Sequence, residues 1–423
     1  MQSLSRGSNL TVKSIVNTLA YISVFIYIVS AICFELMEDT AFISTIAIYF
    51  VFAVGLLFII TSNRAIINQY VVLFSLFAVY VFVMTIAPDA HVTEGSRIAY
   101  VVFTCVVLCI LVFWMSLRLE NIVSVAVVAY IIGALMLVFR VIEEYGGLSE
   151  ILKFVTQDGE NRVGGLLGNE NEIGLYFSTA ILCSLLFFIK SKKVMVKVLM
   201  IAAILVFGMM MLLTGSRKAL AFALIAIVLM VLLGYRTARF GNKATAIAVL
   251  IFALIVIYVL ITTMPMFATI NERVNLLFEG FFGSDNSYET DNLRQYMIER
   301  GLEAFYQRPL FGHGTGYSHT LFGTYSHNNF VELLMCYGLV GFCLYYSFYV
   351  ILVIKLFRQA MKSDLYAIFF FVYTCIQFVL DVGAISYYSR PVQILTALAF
   401  GYVVSLEMGK NIGARKDEIK ESV

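Results

Sequence analysis

The chain has 423 residues, of which 61% are hydrophobic and only 13% are charged. A water-soluble domain carries roughly 25% charged residues, so this composition excludes a fold that packs mainly against water and indicates lipid as the main solvent. The net charge of +2 does not by itself indicate a partner, and nucleic acid is not expected among the partners.

Twelve apolar runs are long enough to cross a bilayer, which takes about 20 residues at the rise of a helix. In chain order they are residues 15–34, 41–60, 70–87, 98–115, 121–139, 173–189, 195–213, 219–234, 244–262, 330–354, 365–385 and 391–407. Because backbone groups in lipid must pair within their own segment, runs of this length predict helices. The predicted fold class is all-α: a polytopic integral membrane protein with about twelve transmembrane helices and one large extracytoplasmic loop that contains short helices.

The distribution of Lys and Arg orients the predicted bundle. With the N-terminus in the cytoplasm, 18 of the 29 basic residues lie in inside segments and 11 lie outside, and loops 190–193 and 235–243 are the strongest inside anchors. This arrangement satisfies the positive-inside rule. An even number of helices then places both termini in the cytoplasm, and the expected location is the bacterial cytoplasmic (inner) membrane. The first run is interpreted as a retained helix rather than a cleaved signal peptide.

The order of helices and loops divides the chain into five parts. They are the first five helices in residues 1–139, an outer loop and helices six to nine in 140–262, the large extracytoplasmic loop in 263–327, helices ten to twelve in 328–407 and a cytoplasmic tail in 408–423.

Arginine is frequent on the predicted outer face. Nine of the 11 outer basic residues are Arg, whereas 11 of the 18 inner ones are Lys. A guanidinium binds phosphate or carboxylate through two parallel hydrogen bonds, so the bias indicates anion recognition. Ion pairing with nearby Glu and Asp would explain the same bias, and the sequence leaves both explanations open.

Two polar clusters precede predicted helices on the outer face. The first consists of Arg162, Gly164, Gly165, Gly168, Asn169, Asn171 and Glu172. By composition it is only a loop, and it lacks the spacing of a P-loop, so nucleotide binding is not expected. The second, residues 214–218, brings Arg217 and Lys218 to the start of a helix, where cations and free N–H groups together favour an anion. Snorkelling of long side chains at a helix end is the open alternative.

The large outer loop contains a segment with helical periodicity. Within residues 291–307, the apolar side chains on one predicted face are Leu293, Met297, Ile298, Leu302 and Phe305. Pro309 and Gly312 follow and end the pattern. An amphipathic helix on the membrane surface and a lid over a cavity are both compatible with it.

Three of the four histidines in the chain follow this helix: His313, His319 and His327. Their spacings match no standard zinc pattern, so no metal site is predicted. His327 stands at the mouth of the next helix, where a neutral imidazole could take a proton from a hydroxyl, although a loop histidine can equally be a solvated residue.

The ordered set of motifs resembles the O-antigen ligase and O-antigen/capsule polymerase superfamily. The resemblance covers about residues 160–345. It consists of the loop with Arg162, Gly164, Asn169 and Asn171, the turn at residues 214–219, a helix led by Arg294, the glycine element Pro309–Gly312–Gly314, the pair His327–Asn328, then Glu332 and finally Gly338–Gly341.

The resemblance implies a reaction and roles for residues. Such proteins are inverting, metal-independent glycosyltransferases without a cofactor, which move a glycan from a polyprenyl-diphosphate-linked oligosaccharide to a sugar-hydroxyl acceptor at the lipid bilayer. By carry-over, His327 is the general base, and Arg217 and Arg294 hold the diphosphate. Arg162, Lys218, Asn169, Asn328 and Glu332 are expected to bind substrate. A flippase and a chain-length regulator are further candidate partners, and the active site is expected on the extracytoplasmic face.

Three functions are compatible with these features. A polymerase of lipid-linked repeat units is favoured, because that activity serves many kinds of surface polysaccharide. A ligase that transfers the finished glycan to a lipid or protein acceptor is the first alternative. A transporter of the same lipid-linked sugars is the second, but transporters carry ionisable residues within their spans, whereas Glu35, Arg140 and Asp381 stand near span ends.

Overall fold

The apolar runs that the computed structural model describes form helices. The structure describes residues 12–35, 39–62, 66–157, 162–234, 258–259, 262–264, 271 and 289–421, and the regular elements in these residues are all helical. The helices are α1 Val12–Phe34, α2 Ala41–Ser62, α3 Gln69–Val83, α4 Val92–Ser116, α5 Ile122–Glu144, α6 Leu148–Gln157, α7 Glu170–Lys190, α8 Val194–Leu213, α9 Arg217–Gly234, α10 Glu289–Gln307, α11 Tyr317–Phe322, α12 Asn329–Ala360, α13 Leu365–Leu380 and α14 Arg390–Glu421. Short 3₁₀ turns occupy Met84–Ile86 and Gly165–Leu167.

Ten helices in the described residues are long and apolar enough to cross a membrane, and α13 is a shorter apolar helix. Together they correspond to eleven of the twelve predicted runs. The remaining run, 244–262, lies outside the described residues apart from three positions. The predicted all-α, multi-pass membrane fold is confirmed. Helix α10 was predicted as an amphipathic helix within the large outer loop, whereas α6 was expected only as part of a loop. Helix α6 buries Ile151 and Val155 on one side in the spacing of an amphipathic helix.

The helices pack in a layered bundle around an aromatic centre. Helix α1 packs on α2 and α5, α7 on α8 and α9, α4 on α14, and α12 on α3 and α13. Phe74, Phe77, Tyr345 and Phe348 are buried where α3 meets α12, and Phe74 and Phe348 lie 5.1 Å apart between ring centroids. Aromatic side chains bury large areas and fix helix contacts through specific ring geometry, so this seam is rigid.

Helix α12 is broken at Gly338, and the loop before it fills the break. Gly338 has φ +61°, and a Cβ atom there would lie 2.4 Å from the Leu310 carbonyl oxygen. The loop replaces the lost helical bonds: Leu339 N donates to Pro309 O at 2.8 Å, and Gly314 N donates to Cys336 O at 2.9 Å. The glycine motifs at 312–314 and 338 therefore let two backbones meet, which is the close approach that only glycine permits.

Helix α10 packs against α12 along a different line from the predicted one. The predicted face included Leu293, which is 53% exposed, whereas Met297 and Ala304 are buried. Gly301 lies between them, and a Cβ atom at Gly301 would come within 2.4 Å of Val331. The absence of a side chain at Gly301 lets α10 approach α12, so the contact follows Met297, Gly301 and Ala304 rather than the most apolar residues. The helix therefore packs directly on the start of α12.

Candidate active site

Four segments meet at one end of the bundle, which we call the site end: residues 162–172, 214–218, 323–328 and 381–389. The first two are joined by backbone pairing, since Val163 N donates to Leu213 O at 3.0 Å. Helix α7 then packs so closely on the 214–216 turn that a Cβ atom at Gly174 would lie 2.8 Å from Thr214 Oγ1. This contact fixes the starts of α7 and α9 relative to each other.

Arg162 holds these two segments together. Its Nε donates to Thr214 O at 2.9 Å, its Nη2 donates to Asn171 Oδ1 at 3.0 Å, and its Nη1 is 3.8 Å from Glu170 Oε2. Ser216 Oγ donates to the same Asn171 oxygen at 3.1 Å. The Arg162 side chain is only 16% exposed. Its donors are directed to protein groups, so the geometry supports a positioning role for Arg162.

Asn169 caps the next helix. Its Oδ1 accepts hydrogen bonds from Asn171 N at 2.9 Å and Glu172 N at 3.3 Å. This is the usual way in which Asn satisfies the first free N–H groups of a helix. Asn169 therefore fixes the start of α7, from which Glu172 projects.

A cationic cluster lies where α9 begins. The Lys218 ammonium donates to the Gly383 carbonyl oxygen and lies within electrostatic range of Arg217, Arg294 and Glu172. Arg217 and Lys218 come from the first turn of α9, whereas Arg294 comes from α10. Two guanidinium groups from two elements that are distant in sequence thus lie near Lys218, and the Glu172 carboxylate is within electrostatic range of it. A concentration of guanidinium groups at a helix start favours a phosphate or other anion.

His327 lies beside this cluster in a strained backbone conformation. Its φ is +57°, a region that few residues other than glycine adopt. Its ring lies 4.3 Å from the Tyr325 ring between centroids. Partial burial, together with the charges of Arg294 and Lys218, lowers the pKa of His327 from 6.5 to about 4. The imidazole is therefore neutral at physiological pH and can accept a proton.

A buried carboxylate holds the His327 loop. Glu332, in the first turn of α12, is fully buried, accepts from Ser318 Oγ at 2.6 Å and accepts from Ser326 N at 2.9 Å. Asn328 caps α12 by accepting from Val331 N at 3.1 Å. Both side chains form hydrogen bonds within the protein. This geometry supports a role in positioning His327 more directly than a role in binding substrate.

A second buried hydrogen-bond network links the His327 loop to residues 381–389, which follow α13. Asn329 is fully buried, its Nδ2 donates to Tyr346 Oη at 2.8 Å, and its Oδ1 accepts from Ser386 N at 3.0 Å. Tyr346 Oη donates in turn to Asp381 Oδ2 at 2.9 Å. Residues 381–389 also provide Gly383, the partner of Lys218. The same segment therefore positions the neighbour of His327 and one of the cations.

Comparison with known proteins agrees with this geometry. Residues 201–346 match the sequence model of the family described as O-antigen ligase. This match supports an assignment to the O-antigen ligase/polymerase superfamily. Its members are glycosyltransferase-like enzymes of the membrane that act on lipid-linked oligosaccharides. A comparison with curated proteins gave no match.

The segment shared with the O-antigen ligase family contains most of the predicted site. Arg217, Lys218, Arg294, His327 and Glu332 lie within it, and the structure brings the first four together. Arg162 and Asn169 lie before it and tie the starts of α7 and α9. Catalytic and substrate-binding roles for these residues stay predictions.

The other two loop histidines lie elsewhere in the structure. His313 is buried against Tyr317, with Nδ1 3.0 Å from Asp89 Oδ2 and Nε2 2.9 Å from Ala304 O. His319 faces His91 at 6.1 Å between ring centroids. His313 shares Asp89 with Arg308, and His319 lies within electrostatic range of Arg97. His327 differs from both because the cations near it, Arg294 and Lys218, belong to the cluster at the start of α9.

Three participants in the site lie outside the sequence prediction. Asn329 and Asp381 belong to the buried hydrogen-bond network next to the His327 loop, and Tyr325 contacts the His327 ring. The sequence could have indicated a structural role for Asp381, because an acidic residue at the end of an apolar run needs buried partners. For Asn329 the sequence offers no such indication beyond its position next to a capping residue.

Proposed function

We propose that this protein is an inverting, metal-independent glycosyltransferase that polymerises polyprenyl-diphosphate-linked oligosaccharide repeat units for a bacterial surface polysaccharide. The observation that carries the proposal is the neutral His327 beside Arg294 and Lys218, with Arg217 in the same cluster. A base and a set of fixed cations are the two groups that transfer from a glycosyl diphosphate requires.

In the proposed reaction, the His327 imidazole takes the proton of the acceptor hydroxyl. The acceptor oxygen attacks the anomeric carbon from the face opposite the diphosphate. The bond between that carbon and the diphosphate oxygen breaks, and its electron pair remains on the diphosphate. A single displacement of this kind inverts the anomeric configuration.

The cationic cluster stabilises the leaving group. Negative charge grows on the diphosphate oxygen in the transition state, and preorganised donors in a site that excludes bulk water stabilise such charge most strongly. Arg217 and Arg294 can each bind two phosphate oxygens through a planar fork, while Lys218 supplies a point charge. Positive charge from side chains supports chemistry that needs no divalent ion.

The membrane setting follows from the predicted topology. The residues of the site end belong to segments predicted to be outside, and the basic loops 190–193 and 235–243 belong to the predicted cytoplasmic side. We therefore propose an active site on the extracytoplasmic face of the inner membrane, with both termini in the cytoplasm. A donor presented there requires a flippase, and product length requires a chain-length regulator.

The description of the matched family, O-antigen ligase, makes transfer of a finished glycan to a terminal acceptor the second candidate. Both activities use the same base and cations and differ in the acceptor. A polymerase mutant accumulates single lipid-linked repeat units, whereas a ligase mutant accumulates long chains on the polyprenyl carrier.

The test is a deletion strain of the host complemented with the wild-type chain, His327→Asn or His319→Ala. Asn tolerates the left-handed backbone at position 327 better than Ala, so His327→Asn removes the base with little added strain. We expect accumulated single repeat units in the deletion strain, rescue by wild type and by His319→Ala, and no rescue by membrane-inserted His327→Asn. Normal polysaccharide from His327→Asn would refute the base role.

A further inference from the structure

An open cavity lies on the predicted outer face, apart from the cationic cluster. Its volume is about 480 Å³, which is within the range of pockets that bind small molecules. Three segments enclose it: the connection between α3 and α4, the end of α10, and the segment that runs from His313 into α11. None of its lining residues takes part in the mechanism above. The polar side chains that line the cavity are Asp89, Gln307, Arg308, His313, Tyr317 and Thr320.

Hydrogen bonds fix the walls of this cavity to each other. Thr315 N donates to Met84 O at 3.0 Å, which ties the loop before α11 to the end of α3. The buried His313 ring lies between the other walls, with Nδ1 3.0 Å from Asp89 Oδ2 and Nε2 2.9 Å from Ala304 O of α10. The cavity is therefore formed before a ligand enters, which limits the conformational entropy that binding would cost.

The lining groups have unused hydrogen-bonding capacity. Arg308 Nη2 lies 3.0 Å from Asp89 Oδ2, and the two side chains are 45% and 35% exposed. Within the described part of the chain, the Arg308 guanidinium has no other ion pair or hydrogen bond. The side chains of Gln307, Tyr317 and Thr320 likewise form no hydrogen bond with described residues. The cavity therefore presents both donors and acceptors to a ligand.

The charges at the cavity select among ligand classes. Asp89 would repel a phosphate, Arg308 would repel a cation, and an apolar chain would leave the polar lining without partners. A saccharide meets none of these obstacles, because its hydroxyls donate to a carboxylate and accept from a guanidinium or an amide. The Tyr317 ring, which stacks on His313 at 4.2 Å between centroids, adds an aromatic surface for the C–H side of a sugar.

We propose that this cavity is a second saccharide-binding subsite, which holds sugar units remote from the reacting bond. Helix α11 has six residues and a length of about 9 Å, and the His327 loop begins where it ends. Tyr317 and Thr320 of this helix line the cavity. Ser318, between them, donates at 2.6 Å to Glu332, the carboxylate that holds the His327 loop. The cavity and the predicted base are thus connected by one short, hydrogen-bonded element.

The subsite rests on the glycan transfer proposed above and specifies where the rest of the glycan lies. The reacting sugar and its diphosphate occupy the cationic cluster beside His327, and the chain continues past α11 into the cavity. The bound units can belong to the donor or to the acceptor, since both carry the same hydroxyl chemistry.

The test is direct binding to the purified full chain in lipid nanodiscs. The probes are inorganic pyrophosphate and labelled oligosaccharides of one and of several repeat units, prepared by partial hydrolysis of the host's surface polysaccharide. The decisive variant is Thr320→Trp, because Thr320 is exposed and a large ring there fills the cavity without breaking a described hydrogen bond. Thr93→Trp is the matched control, since Thr93 is also exposed, at the start of α4, but does not line the cavity.

A second pair of variants tests the hydrogen-bonding groups. Arg308→Gln removes the guanidinium that lines the cavity. Its control, Arg300→Gln, removes an arginine of similar exposure that pairs with Glu303 on α10 and lies outside the lining.

We expect Thr320→Trp and Arg308→Gln to weaken binding of the several-unit oligosaccharide about tenfold and to leave pyrophosphate binding unchanged. Thr93→Trp and Arg300→Gln should change neither. Wild-type oligosaccharide affinity in both cavity variants, or an equal loss in Thr93→Trp, would overturn the subsite. A parallel loss of pyrophosphate affinity in the cavity variants would also overturn it, in favour of an anion site.

Failure of the proposed function gives a different result. If Arg217→Lys retains pyrophosphate affinity, the proposed leaving-group site fails while the saccharide subsite stands. Lipid-linked oligosaccharides of the two lengths then assign the ligand. A loss in Thr320→Trp that is confined to the several-unit form places the growing chain in the cavity, whereas an equal loss for both lengths places the single repeat unit there.

Discussion

The acid limb of the pH–rate profile reports the environment of His327. With a pKa of about 4, the imidazole is about 99% neutral at pH 6, whereas at the ordinary value of 6.5 it would be only about 24% neutral. The wild-type rate should therefore stay level between pH 7 and pH 6 and decline on the acid side only as the pH approaches 4. Arg294→Gln removes one of the two cations that lower the pKa of His327. The limb of this variant should move to a higher pH but stay below 6.5, because burial is the largest cause of the shift.

The control is Arg294→Lys, which keeps the charge and removes the planar fork. Both Arg294 variants should be slower than wild type, because the diphosphate loses a bidentate partner. Only Arg294→Gln should move the limb. The assay is kcat/KM for glycan transfer by the purified chain from pH 4.5 to pH 8.5, with each profile scaled to its own plateau. A wild-type limb near pH 6.5, or equal limbs in the two variants, would refute the proposed coupling between Arg294 and His327.

Three further predictions concern the leaving-group site and the scaffold around it. Arg217→Lys should lower kcat/KM about 10- to 100-fold despite the retained charge. Arg300→Lys, in an exposed pair with Glu303, should act like wild type. Equal rates for the two variants would contradict bidentate binding of phosphate by Arg217. Glu332→Ala should cost about 2–4 kcal/mol of stability, because Ser318 Oγ and Ser326 N lose their acceptor, and Glu332→Gln should recover part of it in thermal unfolding. Gly338→Ala should cost about 2–4 kcal/mol through its left-handed backbone and the 2.4 Å approach to Leu310 O, whereas Gly208→Ala, with open space around it, should be neutral or stabilising by up to about 1 kcal/mol. Equal melting temperatures for the two glycine variants would contradict that reading of the broken helix.

The spans and the order of motifs could be predicted from the sequence, because both depend on local patterns. Apolar length defines a membrane helix regardless of its neighbours. The packing line of α10 could not be predicted in this way, since Gly301 contributes by having no side chain, and hydrophobic periodicity gives it no weight. The same holds for Gly338, whose role depends on a loop that begins about thirty residues earlier.

The outer arginines show where pattern and structure differ in detail. The sequence left phosphate recognition and ion pairing open, and the structure shows ion pairs for five of them: Arg97 with Glu94, Arg162 with Glu170, Arg300 with Glu303, Arg308 with Asp89 and Arg390 with Glu35. Arg217 and Arg294 both lie within electrostatic range of Lys218. Only the folded structure shows which arginines form these ion pairs, because the partners in a pair such as Arg390 and Glu35 are remote in sequence.

A similar difference between motif and structure is seen at Asn169, Asn328 and Glu332. Their place beside the predicted base suggested substrate contact, yet their side chains are engaged with backbone groups and a serine hydroxyl of the protein. Capping and loop support are roles that polar residues at a helix start commonly take. A motif can therefore mark the shell that holds a site as well as the groups that face the substrate.

The most direct test of the account is transfer by the purified chain with lipid-linked oligosaccharide as donor and acceptor, in EDTA. The measurements are released polyprenyl diphosphate and the anomeric configuration of the new bond. The account predicts that wild type releases one polyprenyl diphosphate for each inverted linkage formed, and that His327→Asn forms neither product. Retained configuration, a strict need for a divalent ion, or full turnover by His327→Asn would contradict it.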